Sequence, residues 1–427
     1  MRFSGLLAVA LLTPMVAQAG EIGDQLAQRL YDGSWSEISE EAHERCYQFE
    51  TDACFARGLF DLIEGYEALS QAMYRHGATQ PNSPALDLLM GMDSAGAADR
   101  PVNPDPEPLT YAGLRSILDD FSRALTGASI YFQMADVEGD FVVPIDPMKV
   151  RIDLDGDGTA AESETLATLF ADYNAMMGEL EGEVPPGGKI KSRPADALRD
   201  TTIGFDNADA VWLAGYATVV GTPVELLLAH DFSEFYDAYL HRVFPQAGLP
   251  MQGYAEGGTL FMDPDSDAWF ADMVAGIHTA SFPVTDRERL AGVLERLKSI
   301  TTLSRRNWEM ILAETDDDRE LVPSPGQTSL IPGMTVTEEV VDAWLATLDT
   351  LDLVLEGELL IPHWRFNQGI DLKAYFETAE RTDLVMLLTG QDAVPFLREG
   401  PIADAQSFAA GNAVFGDDFP LFALWFN

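Results

Sequence analysis

The sequence predicts a mainly α protein: a helical, bundle-like assembly with one short extended segment leading into a strand–loop–helix unit. Three observations carry this. Apolar residues recur at helical spacing through most of the chain, as in Leu59, Leu62, Ile63, Tyr66, Leu69 and Met73. Capping signatures stand ahead of several such runs. The stretch that breaks the pattern, residues 141–152, is rich in β-branched residues and carries Pro144 and Pro147, which suits a short strand.

Residues 1–19 read as a signal peptide, with Arg2 ahead of an apolar run over 6–12 and Ala17 and Ala19 flanking Gln18 in the arrangement that signal peptidase cleaves. A membrane anchor needs about 20 apolar residues, and Pro14, Gln18, Glu21 and Asp24 interrupt this one. No later stretch reads as long and apolar enough to span, so the mature chain is expected to be soluble and periplasmic or extracellular. Residues 20–80 form an N-terminal helical region holding the only two cysteines, Cys46 and Cys54. On one continuous helix they would lie about 12 Å apart, too far for a disulfide. In an oxidising compartment a bridge is expected, so the chain must turn between them, with Thr51-Asp52 capping the next helix.

Residues 81–108, dense in Pro and Asp, read as a linker or long surface loop. In the region 109–200 a helical pattern resumes at Leu114, Leu118, Phe121 and Leu125. The extended segment follows, then a helix over 165–177 and a second loop-like stretch from Gly182 to Pro194. The C-terminal helical region, 201–427, carries three capping signatures. These are Thr222-Pro223-Val224-Glu225, Thr285-Asp286-Arg287-Glu288 and Thr335-Val336-Thr337-Glu338, and each is expected to start a helix.

With 26 Lys+Arg against 70 Asp+Glu, the 427-residue chain has a formal net charge of −44. Nucleic acid and anionic lipid are repelled by such a surface, so neither nucleic-acid binding nor membrane insertion is expected, and cations are the natural partners.

Residues 153–164 read Asp-Leu-Asp-Gly-Asp-Gly-Thr-Ala-Ala-Glu-Ser-Glu. Asp153, Asp155 and Asp157 fall at alternate positions, Gly158 stands sixth and Glu164 twelfth. This stretch resembles the calcium loop of the EF-hand family. The resemblance implies Ca²⁺ held by the carboxylates of Asp153, Asp155 and Asp157, the carbonyl of Thr159 and a bidentate Glu164, with water at Ala161. It covers about a dozen residues. A strand enters the loop where the family has a helix, and no second complete loop occurs to pair with it, so a structural role for the ion is expected in place of a switching one.

Other constellations are weaker. Asp263, Asp265 and Asp267 imitate half such a loop but lack its Gly and closing Glu, and read as caps for a helix near Trp269. The run Asp316-Asp317-Asp318 reads as a solvated helix end. His230, Glu234, Asp237 and His241 fall within about 60° on the helix that Thr222 is expected to start, a candidate zinc or catalytic stripe. Phe232, Phe235, Tyr236, Tyr239 and Val243 occupy the opposite side, which makes the stripe the expected solvent face. Trp269, Trp308, Trp344, Trp364, Phe419, Phe422, Trp425 and Phe426 read as core. No familiar catalytic signature occurs, and the reading leans away from an enzyme. The expected function is an exported soluble calcium-binding protein. The rivals are an exported hydrolase with structural calcium and a separate cleft, and a calcium-dependent surface adhesion or partner-binding module.

Overall fold

The computed structural model describes residues 20–78, 103–136, 141–169, 200–249, 268–317, 319–330, 335–416, 423 and 426. The leader, most of the 81–108 segment, the stretch from Gly182 to Pro194 and Asp263, Asp265 and Asp267 lie outside them. The protein is mainly α. The helices are α1 (Gly23–Asp32), α2 (Ser39–Cys46), α3 (Thr51–Arg75), α4 (Tyr111–Met134), α5 (Leu166–Leu169) and α6 (Asn207–Leu228). They continue with α7 (Ser233–Tyr239), α8 (Ala268–Thr279), α9 (Arg287–Ile311), α10 (Glu338–Leu355), α11 (Leu372–Thr378), α12 (Leu384–Thr389) and α13 (Ala409–Val414). The described strands are two or three residues long and pair two by two: Val143–Ile145 with Ile203–Phe205, Ser281–Pro283 with Arg381–Asp383, and Gly369–Ile370 with Leu397–Arg398.

The frame is an array in which α3, α4, α6 and α9 pack in succession, each antiparallel to the last. Small residues let the helices approach. A Cβ at Gly58 would fall 2.6 Å from the Phe132 ring, and one at Gly65 would fall 2.8 Å from Ala124. Ser129 Oγ donates to the Ala214 carbonyl at 3.1 Å, while Ser122, two turns earlier in α4, donates to Glu225. Ala208 shares a core with Trp308, and Ala229 shares one with Leu290 and Val293. The largest core holds Phe55, Phe60, Phe132 and Phe141, and draws in both strands of the Val143–Ile145 pair. Each such ring contributes about 1.5–3 kcal/mol by leaving water.

Cys46 and Cys54 are bridged, their Cα atoms 4.5 Å apart, and the chain turns between α2 and α3 as the spacing requires. The segment 141–152 is extended as expected, with a turn of 3₁₀ helix at Pro147–Lys149. Helices α9 and α10 start at their capping signatures, although the capping side chains are Asp286 and Thr337 in place of the first Thr of each.

Four expectations are corrected. No helix starts at Thr222. Helix α6 begins at Asp206, whose side chain accepts from Ala208 N and Asp209 N in a capping box with Asp209, and Pro223 lies inside it. Thr222 Oγ1 donates back to the Thr218 carbonyl at 2.7 Å, which occupies the hydroxyl that would have capped. Second, α6 is long and apolar enough, by length and composition, to cross a membrane, whereas no such stretch was expected; half of its most apolar window is buried inside the protein. Third, Trp364 is 75% exposed, its Nε1 donating to the Leu388 carbonyl at 3.0 Å and Arg365 lying over its ring. Trp308, Trp344 and Phe426 are buried as expected. The side chains of Trp269, Phe419, Phe422 and Trp425 lie outside the described set. Fourth, Asp316 and Asp317 are exposed as expected but lie beyond the end of α9, Asp317 accepting from both Thr328 N and Thr328 Oγ1 at 2.8 Å, while Asp318 lies outside the described residues.

Candidate metal centre

The loop 153–164 hangs from a neck built by local pairing. Arg151 and Thr165 form an antiparallel bridge, with Ile152 N donating to Glu164 O and Leu166 N to Val150 O, both at 3.0 Å. Val150, Ile152 and Leu154 are buried in the main core, so alternation sends the intervening polar residues outward. Gly156 and Gly158 take φ of +79° and +88°, which side chains with a Cβ resist.

Inside this frame the carboxylates organise the backbone. Asp153 accepts from Gly156 N at 2.7 Å and from Gly158 N at 3.0 Å. Asp155 accepts from Asp157 N at 3.1 Å, and Asp157 from Thr159 N at 2.8 Å. Glu164 reaches back with both oxygens, Oε1 taking Leu154 N at 3.1 Å and Oε2 taking Ala161 N at 2.9 Å. One oxygen from each of Asp153, Asp155 and Glu164 lies within 4.8 Å of the others. Asp157 is not in that set, its carboxylate being turned to Thr159 N. The donors are all hard oxygens, which suit Ca²⁺ or Mg²⁺ and not a thiophilic metal.

Helix α3 backs the loop. Glu67 Oε1 accepts from Asp153 N at 2.9 Å, Ser70 Oγ donates to Leu154 O at 3.2 Å, and Gln71 Nε2 donates to Asp153 O at 3.0 Å. Burial, reinforced by the charges of Asp153, Glu64 and Glu164, pushes the Glu67 carboxyl up to about 7. A cleft of about 530 Å³ opens beside the loop, lined by Glu40, Glu64, Glu67, Asp153 and Trp35 among others.

The stripe of His230, Glu234, Asp237 and His241 is not assembled. Helix α6 ends at Leu228, and a separate helix, α7, carries Glu234 and Asp237 outward to solvent. His230 points into the core, 3% exposed, with Nδ1 against the Leu226 carbonyl and Nε2 against Thr382 Oγ1, both at 2.7 Å. His241 lies 3.3 Å from Asp272. So neither the zinc reading nor the solvent-face reading of the stripe describes His230. Phe232, Tyr236 and Tyr239 are buried as expected.

A second carboxylate group was missed. One oxygen from each of Asp206, Glu314 and Glu320 lies within 4.8 Å of the others, where the start of α6 meets the chain leaving α9. Asp209, on the buried side of the capping box, is held well above the usual carboxylate range by burial and by Asp206 and Glu320. Burial pushes Glu314 up to about 8, with Asp206 adding to it, while Gln327 Nε2 donates to Glu314 at 2.9 Å. The only local signal was the Asp-Asn-Ala-Asp cap; the rest is assembled by tertiary packing.

No protein-family model, curated protein or solved structure matches the chain.

Proposed function

We propose that this chain is an exported calcium-binding protein in which the loop 153–164 holds one Ca²⁺ in a structural role. The observation that carries the reading is the convergence of Asp153, Asp155 and Glu164 oxygens on a loop whose backbone is already wound by its own carboxylates. Asp157 would join by turning from Thr159 N, and the Thr159 carbonyl and water would complete the oxygen set. The ion would neutralise carboxylates that otherwise face one another and would fix the neck against the main core. Binding only to the folded chain, it would stabilise by RT ln(1 + [L]/Kd), about 2.7 kcal/mol at 100 Kd. Exposure to extracellular calcium makes a Kd of roughly 10⁻⁶–10⁻³ M sufficient.

The test is a calorimetric calcium titration of the metal-stripped chain beside Glu164→Gln and Asp153→Ala, with melting temperature recorded in calcium and in chelator. One saturable site, lost in both variants, and a calcium-dependent melting temperature are expected. Absence of heat and of any melting shift in the wild type would overturn the reading.

A further inference from the structure

We propose that Glu67, Ser70 and Gln71 of α3 are positioning residues for the cation, a clamp that does for this unpaired loop what the facing hand does in paired calcium modules. The inference rests on the calcium reading above and adds to it residues outside the loop. The three residues stand at i, i+3 and i+4, so they share one face of α3. Each engages a main-chain group at the first two loop positions: Asp153 N, Leu154 O and Asp153 O. Those peptide units carry the Asp153 side chain and lead directly to Asp155, two of the three residues whose oxygens converge.

The loop cannot supply these contacts itself. Its N–H groups at Leu154, Gly156, Asp157, Gly158, Thr159 and Ala161 all point inward to loop carboxylates. The carbonyls of Asp153 and Leu154 are bonded instead to α3. Gln71 also packs its methylenes beneath the turn, with Cγ 3.5 Å from where a Cβ on Gly156 would sit. Because α3 is seated in the main core through Phe55, Phe60 and Ile63, the clamp fixes the entry of the loop to a rigid body. Groups that orient metal ligands from outside typically change affinity by about 10–100-fold when removed.

The experiment is calcium calorimetry on the full chain for Gln71→Ala, Gln71→Glu, Ser70→Ala and Ser70→Thr, each with its melting temperature in chelator. Gln71→Ala is expected to weaken binding by about tenfold. Gln71→Glu should weaken it further, since it sets an acceptor against the Asp153 carbonyl. Ser70→Ala should weaken it, and Ser70→Thr, which keeps the hydroxyl, should bind like the wild type. Calcium affinity is the readout, with rescue by Ser70→Thr, and the melting temperature in chelator measures separately what each lost bond costs the metal-free fold. A wild type that takes up calcium while Gln71→Ala and Ser70→Ala bind equally well overturns the clamp alone. A wild type that takes up none overturns the calcium reading itself.

Discussion

Replacing Thr382 with Val tests the buried polar chain that joins the helical array to the C-terminal part. His230, Thr382 and Tyr375 are 3%, 8% and 9% exposed, and Thr382 Oγ1 lies 2.7 Å from both His230 Nε2 and Tyr375 Oη. The direction of the chain follows from chemistry. The Leu226 carbonyl at 2.7 Å can only accept, so His230 Nδ1 carries the ring proton and Nε2 is an acceptor. Thr382 must then donate to Nε2 and accept from Tyr375. Val has nearly the shape of Thr but neither function, so two bonds are lost and two buried groups are left unpaired. At about 1–3 kcal/mol for each unsatisfied buried group, the loss is about 2–6 kcal/mol. The assay is urea unfolding at pH 7.5 with calcium fixed, comparing midpoints at equal m-value. A double-mutant cycle with Tyr375→Phe should give a coupling of about 1 kcal/mol, since both changes break one bond. A loss below about 0.5 kcal/mol with no coupling would refute the directed chain.

Two further outcomes follow from the buried groups and the bridge. Glu314, raised from 4.5 to about 8, keeps its proton longer in the folded chain than in the unfolded one. Its contribution is therefore complete below about pH 4.5 and is lost as pH rises through about 8. Glu314→Gln should consequently be more stable than the wild type at pH 9, with the gap closing at pH 5; a gap of the same size at both, by urea unfolding, would contradict this. Replacing Cys46 and Cys54 together by Ala opens a loop of about nine residues and should cost about 2–3 kcal/mol on the chain-entropy account. A reduced wild type unfolding at the same urea concentration as the oxidised one would argue against it.

What was legible in the sequence was what short-range geometry decides. Given the bridge, the turn between Cys46 and Cys54 follows from helical rise, and the caps of α9 and α10 are given by residues next to the helices they start. The carboxylates of 153–164 fold back onto their own backbone, so their pattern is legible locally, whereas the hold of α3 on the loop is not. What failed depended on distant partners. Thr222-Pro223 carries the marks of a helix start, yet packing of α6 between α4 and α9 keeps the helix running through it. His230 was assigned to solvent because its wheel position is polar, but the residue that receives it, Thr382, is 152 positions away. Glu314 and Glu320 meet Asp206 across more than a hundred residues, a convergence with no local trace.

Helix α6 has one more consequence if the chain is exported as proposed, in its biosynthesis. A segment of 22 residues with this apolarity meets the requirement for partitioning sideways into lipid while it is threaded through a translocation channel. Inside the folded protein a Cβ on Gly221 would lie 3.7 Å from Leu125 of α4, and Thr218 and Thr222 bond back to carbonyls of their own helix. During passage the same small and hydroxylated residues, with Pro223 and Glu225 near one end and Asp206 and Asp209 at the other, lower the gain from entering the bilayer. Exchanging them for leucine would fill the helix surface and at the same time favour arrest of the nascent chain in the membrane, so the spacing of the array and the proposed export would draw on one set of side chains.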